Sequence, residues 1–260
     1  MIGNLARHGL KAVSTVTDRF TGPIEGPRML IYHQVGAGNG LEMDVRRDHF
    51  RRQMEWLQGK VITLAEALEH RDSNDETYVL TFDDGYEDMY VNAFPILSEL
   101  GLPFVLYLTS GPIESRVPLR DDGKSTPVSW DQVETMIGSG LVTVGAHTHT
   151  HPDLRRIGKG LIEDEIGTSN RLIEERTGLR PRHFTYPWAY WSPAADTVVR
   201  DAYESATVGG CQGIAKAPVH ALPRLPVQLS DGWAFFRPRV TRGFRLEDAV
   251  RRAVARYDGP

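Results

Sequence analysis

The chain has 260 residues, 30 Lys and Arg against 34 Asp and Glu, a net charge of −4, and 40% hydrophobic residues. That length fits one large α/β domain or two small ones, with apolar residues enough for a substantial core. The slightly negative balance excludes a general nucleic-acid footprint. The single cysteine, Cys211, excludes an internal disulfide, fits a reducing compartment and reads as a small buried hydrophobe.

In chain order, the first twenty residues are broken by Arg7, His8, Lys11, Asp18 and Arg19 and have no apolar signal region. Export by the usual route is not expected, and a cytoplasmic location is. No segment has enough consecutive apolar residues to span a bilayer. The same stretch predicts an amphipathic helix with Ile2, Leu5, Leu10, Val13 and Val16 roughly on one side. Such a helix either lies peripherally on the inner membrane face or on a partner, or packs on the domain. Pro23, Gly26 and Pro27 then set residues 1–27 apart as an N-terminal extension from one domain, 28–260.

The first strand spans 28–35, and residues 36–40 form a loop. A helix follows with Phe50, Met54 and Leu57 at helical spacing, then a short strand at 61–64 and a short helix. After the strand leading to Asp83, a helix over 87–100 carries Tyr90, Phe94, Leu97 and Leu100, with Pro95 expected to interrupt or kink it. Residues 103–109 read as an apolar strand and 111–127 as a long exposed polar loop that includes Arg120, Asp121, Asp122, Gly123 and Lys124. Ser129 and Gln132 form a capping-box pattern at the start of the next helix. Strands at 142–146, 183–186 and 206–208 alternate with helices at 160–176 and 194–203, and a last helix starts near Leu246. Alternation of this kind argues a mostly parallel sheet, and an incomplete or distorted (β/α) barrel fits the count.

The chemistry gathers at two strand ends. Tyr78-Val79-Leu80-Thr81-Phe82 is a β-rich run that stops at Asp83-Asp84-Gly85. Neighbouring strand side chains point to opposite faces, but at a frayed end the chain can turn and bring both carboxylates to one cleft. Two adjacent acids repel unless a cation lies between them, which suggests one ligand and one base. A solvated Asp-Asp-Gly turn is the alternative on this segment alone. The second strand, 142–146, runs into His147-Thr148-His149-Thr150-His151. His147 and His151 are four apart and reach the same side of a tight loop or helical turn, whereas His149 points elsewhere. Asp84, His147 and His151 would give three ligands to one zinc-like divalent ion and leave a fourth position for water. Sites at the C-terminal ends of strands are where barrel and open α/β folds place them.

Thr81-Phe82-Asp83-Asp84-Gly85 with His147-Thr148-x-x-His151 resembles the first two motifs of the polysaccharide deacetylases, the NodB-homology or carbohydrate esterase family four enzymes. The resemblance implies a distorted (β/α)7 barrel of the NodB-homology type and a metal-dependent amidase that removes N-acetyl groups from sugars. It implies Asp83 as general base, Asp84, His147 and His151 as ligands, and one divalent metal, zinc first, with cobalt or nickel as alternatives. Met29-Leu30-Ile31-Tyr32-His33-Gln34-Val35 looks like the opening strand of a subgroup that includes the bacterial poly-N-acetylglucosamine deacetylases, where the histidine after the tyrosine is the proposed catalytic acid, here His33. No apolar strand ending in His occurs near the C-terminus; His220 is the weaker candidate there.

Phe184-Thr185-Tyr186-Pro187-Trp188 is similar to the third motif, with Trp188 and Ala189 where Tyr and Gly are usual. It implies that the Trp188 N–H helps hold an oxyanion and that Tyr186 and Pro187 line the substrate. Leu222-Pro223-Arg224-Leu225-Pro226-Val227 and Ser230-Asp231-Gly232-Trp233 look like the family's C-terminal part, which adds Arg224, Asp231 and Trp233 to the substrate region. Of the aromatics near these motifs, Trp188 and Trp191 are the best candidates for stacking on sugar rings. The resemblance runs over residues 28–245. The expected substrate is an N-acetylated glycan of N-acetylglucosamine type, as polymer or precursor. Two alternatives stay open: deacetylation or deformylation of a lipid-linked amino sugar, and a non-catalytic carbohydrate-binding relative.

Overall fold

The computed structural model describes residues 4–255 apart from 23, 74 and 120–124. Helix α1 (Asn4–Thr17) leads through a 3-10 turn to β1 (Arg28–Tyr32). A two-stranded sheet, β2 (Gln34–Val35) with β3 (Asp44–Val45), sits beyond the end of β1. Then follow α2 (Arg47–Leu57), α3 (Leu64–Glu69), β4 (Tyr78–Phe82), α4 (Phe94–Leu100), β5 (Phe104–Leu108), α5 (Ser110–Ser115) and α6 (Trp130–Gly138). The second half comprises β6 (Val142–Ala146), α7 (Lys159–Thr177), β7 (His183–Thr185), α8 (Pro193–Ala202), β8 (Ser205–Gly209), β9 (Leu222–Pro226), α9 (Gly232–Arg242) and α10 (Arg245–Ala255). Strands β1, β4, β5, β6, β7, β8 and β9 close in that order into a seven-stranded barrel, all neighbours parallel. This is the distorted (β/α)7 barrel expected from the sequence.

Strand alternation builds two cores from one set of strands. Leu30, Tyr32, Leu80, Phe82, Leu106, Leu108, Phe184 and Val208 belong to the large cluster that joins the barrel to its helices. The intervening residues Met29, Val79, Val105 and Leu222 form a second cluster with Leu64 and Ala67 of α3 and with Ile214. That cluster plugs the barrel at the strands' N-terminal end. Above it the barrel interior turns polar, with buried Thr81, Tyr107, Thr185 and Arg224. Gly145 makes room there: a Cβ on it would lie 2.4 Å from Cδ1 of the Tyr107 ring.

Several elements differ from the sequence reading. Residues 61–64 do not form a strand; only Val61 bridges Tyr78, and α3 starts at Leu64 behind a Thr63–Glu66 capping box. Pro95 does not kink a single helix over 87–100. A π-helical turn at Met89–Ala93 comes first, and Pro95 sits in the first turn of α4, where its missing N–H is harmless. The loop over 111–127 opens with α5, and its residues 120–124 lie outside the described part. Strand β9 and helix α9 were not expected. Pro223 and Pro226 within β9, and Pro238 within α9, hide both from pattern reading because proline is rare in element interiors.

Helix α1 forms as expected and packs on α9 and α10. It does so through its polar side. Buried Lys11 pairs with Asp231 at 2.7 Å, and Asp18 accepts the N–H of Arg245 at 3.1 Å. Ile2 and the side chain of Leu5, two of the residues expected on its apolar side, lie outside the described part.

Candidate metal centre and active site

Asp83 continues the inward-facing alternation of Thr81, whereas Asp84 takes a left-handed conformation at φ 73 and turns over the barrel rim. Gly85 extends the turn at φ 86; a Cβ there would press on Ile113 at 3.0 Å and Leu108 at 3.2 Å. The frayed strand end therefore brings both carboxylates to one place, as the sequence suggested. Asp84 Oδ1 lies 3.5 Å from His147 Nε2 and 3.4 Å from His151 Nε2, and the two Nε2 atoms are 3.1 Å apart. Among the described residues, Asp84, His147 and His151 form the cluster whose ligand atoms converge within 4.8 Å.

The donor set fits a divalent metal. Asp84 Oδ1 is buried without a hydrogen-bond partner, a position that a cation would satisfy. His147 Nδ1 donates to the Thr185 carbonyl at 2.8 Å, which leaves Nε2 as a lone pair aimed at the cluster. Burial and the neighbouring His151 push the His147 pKa down to about 4, against opposing pulls from Asp83 and Asp84, so the ring is neutral near pH 7 and ready to ligate.

The loop from His147 to His151 is strained and clamped. Thr148 and His151 have φ values of 66 and 60. Glu165 of α7 accepts N–H bonds from His149 and Thr150 at 2.9 and 2.8 Å and a hydroxyl bond from Thr150 at 2.6 Å. The Thr148 hydroxyl accepts the His151 N–H at 3.1 Å. As expected, His149 turns away from the cluster; its Nδ1 lies 3.0 Å from Ser110 Oγ.

Asp83 is held from inside the barrel. Arg224, fully buried, donates to Oδ1 at 2.6 Å and to Oδ2 at 2.7 Å, and also to the hydroxyls of Thr81 at 2.8 Å and Thr185 at 2.6 Å. Burial alone would raise the Asp83 carboxyl, but the charge and bidentate bonds of Arg224, helped by His147 and His33, hold it at about 2. Half-buried His33 stands at the end of β1, near enough to Asp83 to contribute to that field. His220 is bonded by Nε2 to the Tyr203 carbonyl at 2.9 Å, in the connections that enter β8 and β9 at the opposite end of the barrel.

The residues expected to line the substrate separate into groups. Trp188 is 58% exposed, and its ring centroid lies 5.3 Å from that of His151. Its backbone and that of Ala189 are both left-handed, at φ 63 and 60. The loop thus accepts alanine in a conformation that favours glycine, at a cost of about 1–2 kcal/mol. Tyr186 and Pro187 are buried beneath it. Trp191 is half-buried and donates from Nε1 to Asp196 at 3.1 Å. Arg224 belongs to Asp83 rather than to an open surface.

Two residues stand away from the cleft. Asp231 is 1% exposed and its carboxylate is spent on Lys11, Arg239 and the Gln228 N–H. Trp233 lies in the helix layer on Trp56 and Phe236, with the Arg52 guanidinium 4.2 Å over its ring. Sequence reasoning missed Thr81, Tyr107, Thr185 and Glu165 as supports. Thr81 and Thr185 lie in the strands that lead to Asp83 and Tyr186, which was a signal for them; Tyr107 of β5 and Glu165 of α7 had none.

Residues 70–204 match the sequence profile of the family described as polysaccharide deacetylase. The chain is 31% identical over 119 residues to the poly-beta-1,6-N-acetyl-D-glucosamine N-deacetylase of Escherichia coli K12, covering 41% of this chain and 18% of that protein. It is 28% identical over 158 residues to the enzyme of the same name from Staphylococcus epidermidis, covering 55% of this chain and 53% of that one. The chain thus spans about half, or less, of the length of the curated relatives it matches. Among solved structures, IcaB from Ammonifex degensii superposes with a TM-score of 0.71 at 24% identity, covering 83% of this chain and 97% of that one. A polysaccharide deacetylase from Bacillus cereus gives 0.70 at 21% identity, with 84% and 69% covered. At these identities the structural likenesses bear on the fold.

Two outcomes are expected. Replacing His147 or His151 by Ala should abolish tight zinc binding, and Glu165→Ala should weaken it about 10–100-fold while leaving the ligands in place. A chelator-competition titration reads both, and unchanged affinity in Glu165→Ala would remove the clamp from the account. The second concerns acid stability of the metal-free protein. His147 and His183 are both held at about 4, chiefly by burial, below an unfolded value of roughly 6.5. Between those values the unfolded chain binds more protons, so stability should fall as pH drops from about 6.5 to 4, with a slope approaching ~1.4 kcal/mol per pH unit for each histidine. Asp83, held at about 2, stabilises above its unfolded value of roughly 4, and that contribution should be lost as pH falls from about 4 towards 2. Urea unfolding across this range checks both, and a flat profile above pH 4.5 would contradict the burial of neutral histidines.

Proposed function

Because the chain belongs to the polysaccharide deacetylase family, we propose that it is a metal-dependent hydrolase that removes N-acetyl groups from N-acetylglucosamine-type sugars of a bacterial polysaccharide or its precursor. The observation that carries this reading is the meeting, at one barrel mouth, of the Asp84–His147–His151 cluster with an Asp83 carboxylate that is not part of it. The names of the Escherichia coli and Staphylococcus epidermidis relatives support the substrate class. A non-catalytic binding role is disfavoured, since Asp83 and the three candidate ligands Asp84, His147 and His151 are all retained.

The chain's own residues then have distinct tasks. A divalent cation on Asp84, His147 and His151, zinc first, would polarise the acetamide carbonyl and acidify a bound water. Asp83 takes the water proton. The charge and hydrogen bonds of Arg224 hold the Asp83 carboxyl below the ordinary carboxylate range, so it is ionised and able to accept that proton. Arg224 fixes the direction of the Asp83 oxygens. The Trp188 N–H stabilises the oxyanion as the water oxygen bonds to the carbonyl carbon. His33 gives a proton to the sugar nitrogen as the C–N bond breaks, and acetate and a free amine leave. The exposed Trp188 ring, beside His151, offers a stacking face for the sugar, with Tyr186, Pro187 and Trp191 shaping the wall behind it.

A second reading keeps this chemistry and changes the substrate to a lipid-linked acetamido or formamido sugar at the cytoplasmic membrane face. The outward apolar side of α1 favours it.

Asp83→Asn should retain one metal per chain and lose at least about a hundredfold in turnover on N-acetylglucosamine oligomers, scored by released acetate. Near wild-type acetate release would transfer the base role to another group. His33→Ala should lose more turnover on an acetylated sugar amine than on an acetylated aniline, because a good leaving group needs less proton assistance. Its basic pH limb should also vanish. Equal losses on both substrates with the basic limb intact would take His33 out of the reaction.

A further inference from the structure

Helix α1 is amphipathic, and the side it buries is the polar one. Ala6, Gly9, Val13 and Val16 recur at helical spacing, and Phe20 continues the line in the following 3-10 turn. This ridge faces outward: Val13 is 50% exposed, Val16 56% and Phe20 88%. The opposite side holds the helix to the domain. Lys11 donates to Asp231 at 2.7 Å, the Ser14 hydroxyl accepts the Glu247 N–H at 3.2 Å, and Asp18 accepts the Arg245 N–H at 3.1 Å. A domain-packing helix ordinarily turns the apolar side inward. Here specific ionic and hydrogen bonds fix the apolar ridge in the outward position.

A second feature adjoins the ridge. Between α1 and α9 lies a cleft of about 400 Å³ lined by Arg19, Arg237 and Arg242, with Trp233 and Pro238 beside them. Among the described residues, no acidic side chain lines it. Three guanidiniums gathered on one flank of a chain whose net charge is −4 form a local positive patch against the overall balance. We propose that this flank docks on an anionic lipid bilayer, with Val13, Val16 and Phe20 entering the headgroup–acyl boundary and the arginines meeting lipid phosphates. Apolar ridge and adjacent basic side chains are the two elements that interfacial helices combine. A second copy meeting the same patch about a twofold axis would bring the arginines towards their own equivalents, which disfavours a dimer.

The placement suits a membrane-bound substrate. The start of α1 is tied to Glu42 by Arg7 and to Ser230 and Asp231 by Lys11, near the barrel mouth. Its end leads back to the start of β1 at the opposite side. The helix therefore runs down the barrel wall, and docking along it leaves the mouth open sideways. The inference rests on the second reading above for the membrane, and not on the hydrolysis.

The test is sedimentation of the full chain with vesicles of phosphatidylcholine alone or mixed equally with phosphatidylglycerol, alongside acetate release from a soluble acetylated oligosaccharide. The wild type should bind the anionic vesicles, weakly or not at all the neutral ones, and detach as salt rises. Val16→Asp with Phe20→Asp should lower the partition coefficient at least about tenfold, and Arg19→Glu with Arg237→Glu by roughly tenfold or more. Both double variants change exposed side chains and should keep acetate release from the soluble substrate. Absence of vesicle binding, equal binding to both vesicle types, or unchanged binding in either double variant would overturn the proposal. So would a dimer in sedimentation velocity that Val16→Asp with Phe20→Asp dissolves without any vesicle binding. Vesicle binding by a wild type that releases no acetate would support the docking face and count against the hydrolytic reading alone.

Discussion

The buried pair of Arg224 and Asp83 is the interaction around which the molecule is arranged. A guanidinium with no exposure is expensive to desolvate, and the expense is offset only by close pairing with an opposite charge in good hydrogen-bond geometry. Arg224 donates to both carboxylate oxygens of Asp83 and to two threonine hydroxyls, one from β4 and one from β7, while its buried Nε has no hydrogen-bond partner. Its guanidinium stands 5.3 Å from the Tyr107 ring of β5, and that ring fits because β6 offers Gly145 opposite it. Strand β9 delivers Arg224 and closes the barrel against β1. Barrel closure and the fixing of one carboxylate at the mouth are the same event. Removing either partner would leave a bare charge in the barrel, which costs about 3–5 kcal/mol.

That arrangement divides the two adjacent aspartates by environment. Asp83 faces inward and is neutralised by Arg224, so it stays ionised and oriented. Asp84 turns over the rim and meets two imidazoles instead. The turn requires backbone strain, and strain recurs around the mouth. Asp84, Thr148, His151, Trp188 and Ala189 are all non-glycine residues at positive φ, and each adjoins the cluster or the loop above it. Strain of this kind persists only where surrounding bonds over-determine it. Glu165 does so for the histidine loop with three bonds, and the Tyr186 carbonyl, accepting the Ala189 N–H at 2.9 Å, does so for the tryptophan loop.

Much of this was legible in the amino-acid sequence, for reasons that are local. The apolar runs of β4, β5 and β6 stand out, and Asp83, Asp84, His147 and His151 follow strand ends directly, so adjacency in sequence becomes adjacency in space. What escaped is non-local or masked. Arg224 lies 141 positions from Asp83, and only barrel closure joins them. Strand β9 is disguised by two prolines, so Arg224 could be noticed near the site without its partner being identifiable. Asp231 and Trp233 have the residue types of a sugar site, yet Asp231 is taken up by Lys11 and Arg239, and Trp233 by the helix layer. For α1, periodicity located the helix but not which side packs, because that depends on carboxylates and backbone groups more than 200 positions away.

On the function proposed above, Asp84, His147 and His151 would hold one cation while Asp83 stays outside its coordination, bonded to Arg224. A crystal structure of the zinc-loaded protein with anomalous scattering at the zinc edge tests this most directly. The expected result is a single peak bonded to Asp84 Oδ1 and to both imidazole Nε2 atoms, with the bidentate Arg224–Asp83 pair intact. A peak coordinated by Asp83 with Arg224 displaced, or no peak at the barrel mouth, would contradict it.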